Sequence, residues 1–123
     1  MNDFKTLKEL CELLNVTRRI VQGYEKKGLV HPDYRDKYGH LLYNDETINR
    51  IIKIRFYQKM GFKLQEIVDF IDLPDKEKED ILVSRLNILK IEQEIHNKKL
   101  MLIEKVINNL YEYDISKYLE III

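Results

Sequence analysis

Apolar residues return at helical intervals along most of this chain, and the breaks between those runs mark out its elements. Thr6 to Leu14, TLKELCELL, places Leu7, Leu10, Cys11 and Leu14 at i, i+3, i+4 and i+7, the stripe of a short amphipathic helix. Thr6 stands at the N-cap with Glu9 three residues on, the pattern of a capping box. Asn15 and Val16 turn the chain, Thr17 caps a second helix running to about Lys27, and Gly28 follows as the left-handed residue that ends it. Two short helices joined by a tight turn predict a helix-turn-helix.

Val30 to Tyr43, VHPDYRDKYGHLLY, has no helical period, and Pro32, Asp33, Asp36 and Gly39 are turn residues. Gly39 is expected at the tip of a small hairpin, a wing. Asn44 caps a third helix with Thr47 where a capping box would carry its acid, so that box is incomplete. Ile48, Ile51, Ile52, Ile54 and Phe56 are expected on the core face of this helix, and Gly61 ends it. KLQEIVDFI, Lys63 to Ile71, is a further short amphipathic helix closed by Leu73-Pro74.

From Asp75 onward neither Gly nor Pro occurs, which predicts one long helix. Leu82, Leu86, Leu89, Gln93, His96, Leu100, Ile103, Ile107 and Leu110 step alternately by four and three, a heptad seam with two polar members in its middle. Such a seam needs a partner helix. At about 1.5–3 kcal/mol for each fully buried large aliphatic, its apolar positions supply several kcal/mol after entropic costs. Ile81, Ile88, Ile95 and Leu102 form a second stripe, expected against the head of a partner. Ile115, Tyr118, Leu119 and Ile122 recur at helical spacing in the last residues, which are expected to close over a dimer core or to offer an apolar patch to another protein. The predicted organisation is a mainly α fold: a winged helix-turn-helix head over residues 1–74, a dimerisation helix over 75–113 and a short apolar tail over 114–123.

Composition agrees with a helix-rich chain: four glycines and two prolines in 123 residues leave little for a β-sandwich or barrel. One cysteine, Cys11, excludes an intramolecular disulfide and suits a reducing cytosol. It is expected as a small core residue on the first helix. The N-terminus lacks a secretory pattern and the longest purely apolar run is Ile121–Ile123, so a cytoplasmic protein with no membrane association is expected. A formal net charge of zero conceals an asymmetry. Residues 1–63 carry 13 Lys/Arg and 8 Asp/Glu, net +5, and residues 64–123 carry 8 and 13, net −5. The first half is the one able to approach a polyanion. His31, His40 and His96 are scattered, no glycine-rich loop follows a strand, and no nucleophile has a recognisable base. No catalysis, cofactor or metal is therefore expected.

Thr17, Arg18, Arg19 and Gln22 occupy the start of the second helix, the end that enters the major groove in a helix-turn-helix. Arginine pairs with guanine edges or phosphates, glutamine with adenine, and the helix N-terminus favours a phosphate. An Arg-Arg pair also reads as a plain solvated face; the turn, the wing and the heptads around it favour DNA.

This order of elements resembles the MerR family of bacterial transcription regulators. The family pattern V-S-x-R-T-L-R-Y-Y-E-x-x-G-L-x-x-P is similar to VTRRIVQGYEKKGLVHP, with Val16, Thr17, Arg19, Tyr24, Glu25, Gly28, Leu29 and Pro32 matching. R-x-x-x-G-Y-R-x-Y is similar to RDKYGHLLY, and L-G-F-S-L-x-E-I to MGFKLQEI, Met60 to Ile67. The resemblance implies double-stranded DNA as partner, contacted by Thr17, Arg18, Arg19, Gln22 and Lys27, by Arg35, Lys37, Tyr38 and His40 in the wing, and by Lys63, with Lys59 nearby. Tyr24 either gives its hydroxyl to phosphate or packs, and Tyr43 is expected to anchor the hairpin.

Two departures stand out. Gln22-Gly23 replaces the usual Arg and aromatic, and Gly39-His40-Leu41 replaces Gly-Tyr-Arg, so fewer phosphate contacts and a different site preference are expected. Gly23 inside a helix costs about 1 kcal/mol relative to Ala, which calls for a close backbone approach or simple drift. The resemblance further implies a homodimer with antiparallel long helices, with Gln93 and His96 near the two-fold axis as register-setting groups; a pH or metal site at His96 is the other reading. Metal-sensing members carry cysteines near the end of that helix and drug-sensing members a large C-terminal domain; this chain has no such cysteine and about a dozen residues after Tyr111. The implied function is binding to a pseudo-palindromic promoter, bending and untwisting it so that RNA polymerase engages. Two other readings remain, a coiled-coil interaction module whose winged head has lost tight DNA binding, and a small-ligand sensor.

Overall fold

In the computed structural model, which describes residues 4–110 and 116–123, Thr6 opens helix α1 (Leu7–Leu14) with both bonds of a capping box. Thr6 Oγ1 accepts the Glu9 N–H at 3.2 Å, and Glu9 Oε1 accepts the Thr6 N–H at 3.1 Å. The Thr6 backbone donor holds the Glu9 carboxyl below its ordinary pKa. Asn15 ends the helix at φ 52, a left-handed conformation that a short polar side chain tolerates. Thr17 then opens α2 (Arg18–Lys26) by accepting the Ile20 N–H at 3.2 Å. The Gly28 N–H bonds Glu25 O and the Leu29 N–H bonds Tyr24 O, each at 3.0 Å, the paired bonds of a Schellman ending. Only the φ of +74 at Gly28 makes that ending possible without strain.

The wing hairpin is β2 (Tyr34–Arg35) and β3 (Leu41–Tyr43), paired antiparallel with Tyr34 opposite Leu42. A further strand, β1 (Lys5–Thr6), pairs with the other edge of β3, Lys5 opposite Tyr43, giving the order β1-β3-β2. Two residues carry no period, so sequence patterning missed this strand.

Helix α3 (Asp45–Lys59) starts at Asn44, whose Oδ1 accepts the Thr47 N–H at 2.9 Å. The acid missing from its capping box comes from the wing. Asp33 Oδ2 accepts the Asn44 N–H at 2.6 Å and the Thr47 hydroxyl at 3.2 Å. Of the five residues expected on the core face, Ile48, Ile51 and Ile54 are buried, whereas Ile52 is 43% and Phe56 62% exposed. The core takes a stripe only as wide as the three-residue spacing 48, 51, 54, and Ile52 and Phe56 lie on the next face with Leu14. Helix α4 (Leu64–Phe70) follows, and Tyr57, Phe62 and Phe70 pack ring on ring, with centroids 4.9 Å apart for Tyr57–Phe70 and 5.0 Å for Phe62–Phe70. Around these sit Leu10, Val21, Tyr24, Tyr43, Ile51 and Ile67, all buried.

Helix α5 (Asp75–Asn108) runs 34 residues without a break; of the helix expected over 75–113, Asn109 and Leu110 form a turn and 111–113 lie outside the described residues. The chain divides into two compact units, Met1–Lys78 and Glu79–Ile123. In the second unit the seam is open to solvent: Leu86, Leu89, Leu100, Ile103, Ile107 and Leu110 are all exposed. A 3-10 turn (Ser116–Tyr118) and the single turn α6 (Leu119–Ile122) end the chain. The tail stripe is half-buried at Tyr118 and exposed at Leu119 and Ile122; Ile115 lies outside the described residues.

Candidate nucleic-acid interface

Helix α2 turns Val21 and Tyr24 into the core and leaves Arg18, Arg19, Gln22, Lys26 and Lys27 exposed. Among the described residues Arg18 and Arg19 make neither a hydrogen bond nor an ion pair, so both cations are available to a ligand. Thr17 spends its oxygen on the cap, which fixes where those two arginines leave the helix. Lys27 Nζ reaches Gln65 Oε1 at 3.4 Å, a weak tie that a phosphate would displace.

The wing is held by one carboxylate. Asp36 Oδ1 accepts the N–H groups of Tyr38 and His40, each at 2.9 Å, and Oδ2 lies 3.2 Å from His40 Nδ1. Burial pushes the Asp36 carboxyl up, but the donors from His40 and Tyr38 outweigh it and hold it below the ordinary aspartate range. Gly39 closes the tip at φ +84, its N–H on Asp36 O at 3.0 Å. Arg35 donates to Gly39 O at 2.7 Å, and Lys37 Nζ sits 5.1 Å from the centre of the Tyr38 ring. Tyr38 itself is 73% exposed.

Between α2 and the wing runs an open groove of about 530 Å³, lined among others by Lys8, Arg18, Gln22, Arg35 and His40 and by no carboxylate. The first unit as a whole holds 15 Lys/Arg and 13 Asp/Glu, net +2, so its positive character is local to this groove and to α2. Lys8 was not among the residues expected here. It follows the N-cap of α1, and only the fold brings it to the wing; no spacing in the sequence signals that.

Two residues of the matched motif mount α2 instead of facing outward. Tyr24 is 2% exposed and gives its hydroxyl to Gln58 Oε1 of α3 at 2.6 Å. Tyr24 packs within the unit, with its one donor spent on Gln58. Burial raises its pKa. Glu25 accepts the hydroxyl of Tyr43, a fully buried wing residue whose pKa is raised by burial and then by Glu25. Tyr43 thus anchors the hairpin as expected, and α2 is pinned to α3 on one side and to β3 on the other.

At the next connection Arg50 donates to Leu29 O and, bidentately, to Asp72 at 2.8 and 2.9 Å. With Asp72 side-chain exposure at 73%, this pair orients the loop after α2 more than it stabilises it. Lys63 is exposed at the N-cap of α4, its N–H held by Glu66 Oε1 at 2.8 Å, and Lys59 is exposed at the end of α3. Gly23 is helical, and a Cβ built there meets nothing within 4 Å, so no close backbone approach within the unit accounts for it. Among the described residues no group of three or more His, Cys, Asp or Glu is placed to hold a metal, and no helix is long and apolar enough to cross a membrane.

Residues 5–73 match the family described as MerR HTH family regulatory protein. The mercuric resistance operon regulatory protein of Bacillus cereus is 30% identical over 107 residues, 85% of this chain and 80% of that protein. The Bacillus subtilis HTH-type transcriptional activator mta is 26% identical over 101 residues, 82% of this chain; the chain spans 39% of that activator's length. The crystal structure of MtaN, the N-terminus of the Bacillus subtilis multidrug transporter activator, aligns with a TM-score of 0.73 at 25% identity over 84% of this chain and 97% of that one. HiNmlR, a MerR family regulator lacking the sensor domain and solved bound to promoter DNA, shares the fold with a TM-score of 0.63 at 19% identity, over 86% and 89% of the two chains.

Proposed function

Because this chain belongs to the MerR helix-turn-helix family of regulatory proteins, we propose that it is a DNA-binding transcription regulator, not an enzyme, acting as a homodimer on a two-fold related promoter site. Helix α2 enters the major groove, with Arg18, Arg19 and Gln22 toward base edges. The wing, through Arg35, Lys37, Tyr38 and His40, lies along the backbone beside that groove, and Thr17, Lys27 and Lys63 meet phosphates. DNA held this way and deformed between two heads is the means by which RNA polymerase is engaged.

One observation carries the reading: the groove shared by α2 and the wing is lined by three cations, a histidine and a glutamine and by no carboxylate, in a unit whose net charge is only +2. A merely solvated face would be expected to mix signs as the rest of the unit does. The DNA-bound relative of the same fold and the transcriptional activators among the relatives support it.

The test is a duplex titration at two salt concentrations with the DNA upstream of the protein's own coding region, then with selected random sequence, using Arg19→Ala as control. Expected is salt-sensitive binding whose log–log slope reflects about 0.9 per phosphate neutralised, and its weakening in the variant. Binding that is weak, salt-insensitive and indifferent to Arg19 on both DNA sources would sink the reading.

A further inference from the structure

In the second unit, α5 presents its heptad seam to solvent from Leu86 onward, with Ile103 and Ile107 each about 60% exposed, and Gln93 and His96 interrupt the aliphatics near its middle. We infer that the Gln93–His96 interruption selects one register for a second copy of α5. In that register the helices run antiparallel and Gln93 of each copy faces His96 of its partner across the two-fold axis. The inference rests on the homodimer reading above and adds to it the register and the groups that set it.

The argument is one of matching. In an antiparallel pair, the alternating seam positions of one helix meet those of the other in layers. When Gln93 faces the partner's His96, Leu89 faces the partner's Leu100, Leu86 its Ile103 and Leu82 its Ile107, so polar meets polar and aliphatic meets aliphatic from Leu82 to Ile107. A slip of one heptad in one direction sets His96 on Leu100 and Gln93 on Ile103 of the partner subunit. The opposite slip sets Gln93 on the partner's Leu89 and His96 on its Leu86. Either slip strands an amide and an imidazole against hydrocarbon, where neither finds a hydrogen-bond partner.

Charge at the flanking positions is a second, weaker discriminator. The positions flanking the seam include Glu92 and Lys99. In the matched register Glu92 of each copy lies beside Lys99 of its partner, twice around the axis. One slip brings Lys99 against the partner's Lys99, and the other brings Glu92 against the partner's Glu92. Parallel pairing sets Arg85 beside the partner's Lys90. The two Glu92–Lys99 pairs form only when Gln93 meets His96; the slip that sets Lys99 on Lys99 also sets Lys90 beside the partner's Glu104, so against that slip it is the polar layer that decides.

The experiment is a double electron–electron resonance distance between nitroxide labels at Ser84→Cys in the full chain carrying Cys11→Ala, with folding checked by circular dichroism. At 1.5 Å rise per residue, the matched register separates the two labels by about 31 Å along the helix axis, the two slipped registers by about 42 and about 21 Å, and a parallel pair by about 0 Å. Expected is a single population at the first value.

In the same background, Gln93→Leu with His96→Leu is expected to tighten the dimer at least tenfold and to split the distance into more than one population. A dimer showing another single distance would leave the homodimer standing and overturn the register. An unchanged single distance in the double variant would overturn the role of the polar layer. A monomer by sedimentation at all concentrations would remove both readings together.

Discussion

Tyr24 offers a sharp test of which residues read DNA and which hold the reader in place. Its hydroxyl is buried and donates to Gln58 at 2.6 Å, with Arg55 3.4 Å from the same oxygen. Tyr24→Phe keeps the ring, removes the donor and leaves Gln58 Oε1 with the long Arg55 contact alone. A lost hydrogen bond of this kind costs about 0.5–1.5 kcal/mol. In a unit of this size, 1 kcal/mol is about 4–8 °C in the midpoint of thermal unfolding. Circular dichroism melts at one fixed protein concentration read that shift, the fixed concentration being needed because dimerisation moves the midpoint by mass action. Duplex titrations of the same variant at several salt concentrations read the other possibility. A hydroxyl that touches phosphate leaves weaker binding when removed, with an unchanged salt slope because it carries no charge, and no stability loss. Unchanged melting with weakened DNA binding would therefore refute the placement of Tyr24 as a mounting residue. The expected result is the reverse: a lower melting point and duplex binding equal to that of the parent.

Two further outcomes follow from the same unit. Gly23→Ala is expected to stabilise it by about 1 kcal/mol, because the position is helical, a Cβ meets nothing within 4 Å, and alanine loses less backbone freedom on folding; a lower melting point would show a contact that the unit's own packing lacks. Asp36 has its folded pKa depressed by the N–H groups of His40 and Tyr38, so the stability it lends the wing is complete above the ordinary aspartate range near about pH 4 and is lost as pH falls through the depressed value. Amide shifts of Tyr38 and His40 are expected to titrate together with a midpoint below that of a free aspartate, and a midpoint at or above it would contradict the geometry.

What patterning revealed was local. Caps at Thr6, Thr17 and Asn44, the glycine endings and the uninterrupted run from Asp75 each depend on residues within one turn of each other, and all stand in the structure. What it missed depends on distant partners. Asp33 completes the cap of α3 from 11 residues away, and Tyr43 and Gln58 bind Glu25 and Tyr24 across 18 and 34 residues. No helical or alternating period encodes such pairs. The assignment of Ile52 and Phe56 to the core failed for a related reason: periodicity finds an apolar face but not how much of it the neighbouring elements cover. For the candidate site, α2 and the wing were legible separately, while their shared groove, and Lys8 within it, follow from how Tyr43 ties one to the other.

That mounting bears on how the head discriminates among DNA sites. With 15 cations against 13 anions, the unit has little long-range attraction for a polyanion, and at physiological salt charges more than about 8 Å from the DNA are screened. On the proposed reading, affinity then comes from contacts made at short range by Arg18, Arg19, Gln22 and the wing, and such contacts are sensitive to where α2 points. Tyr24 to α3 and Glu25 to β3 set that direction from opposite sides. A weakly charged head with a rigidly aimed helix gains less on random sequence than a strongly basic one, and so keeps a larger share of its binding energy for the sequence and shape of its own site.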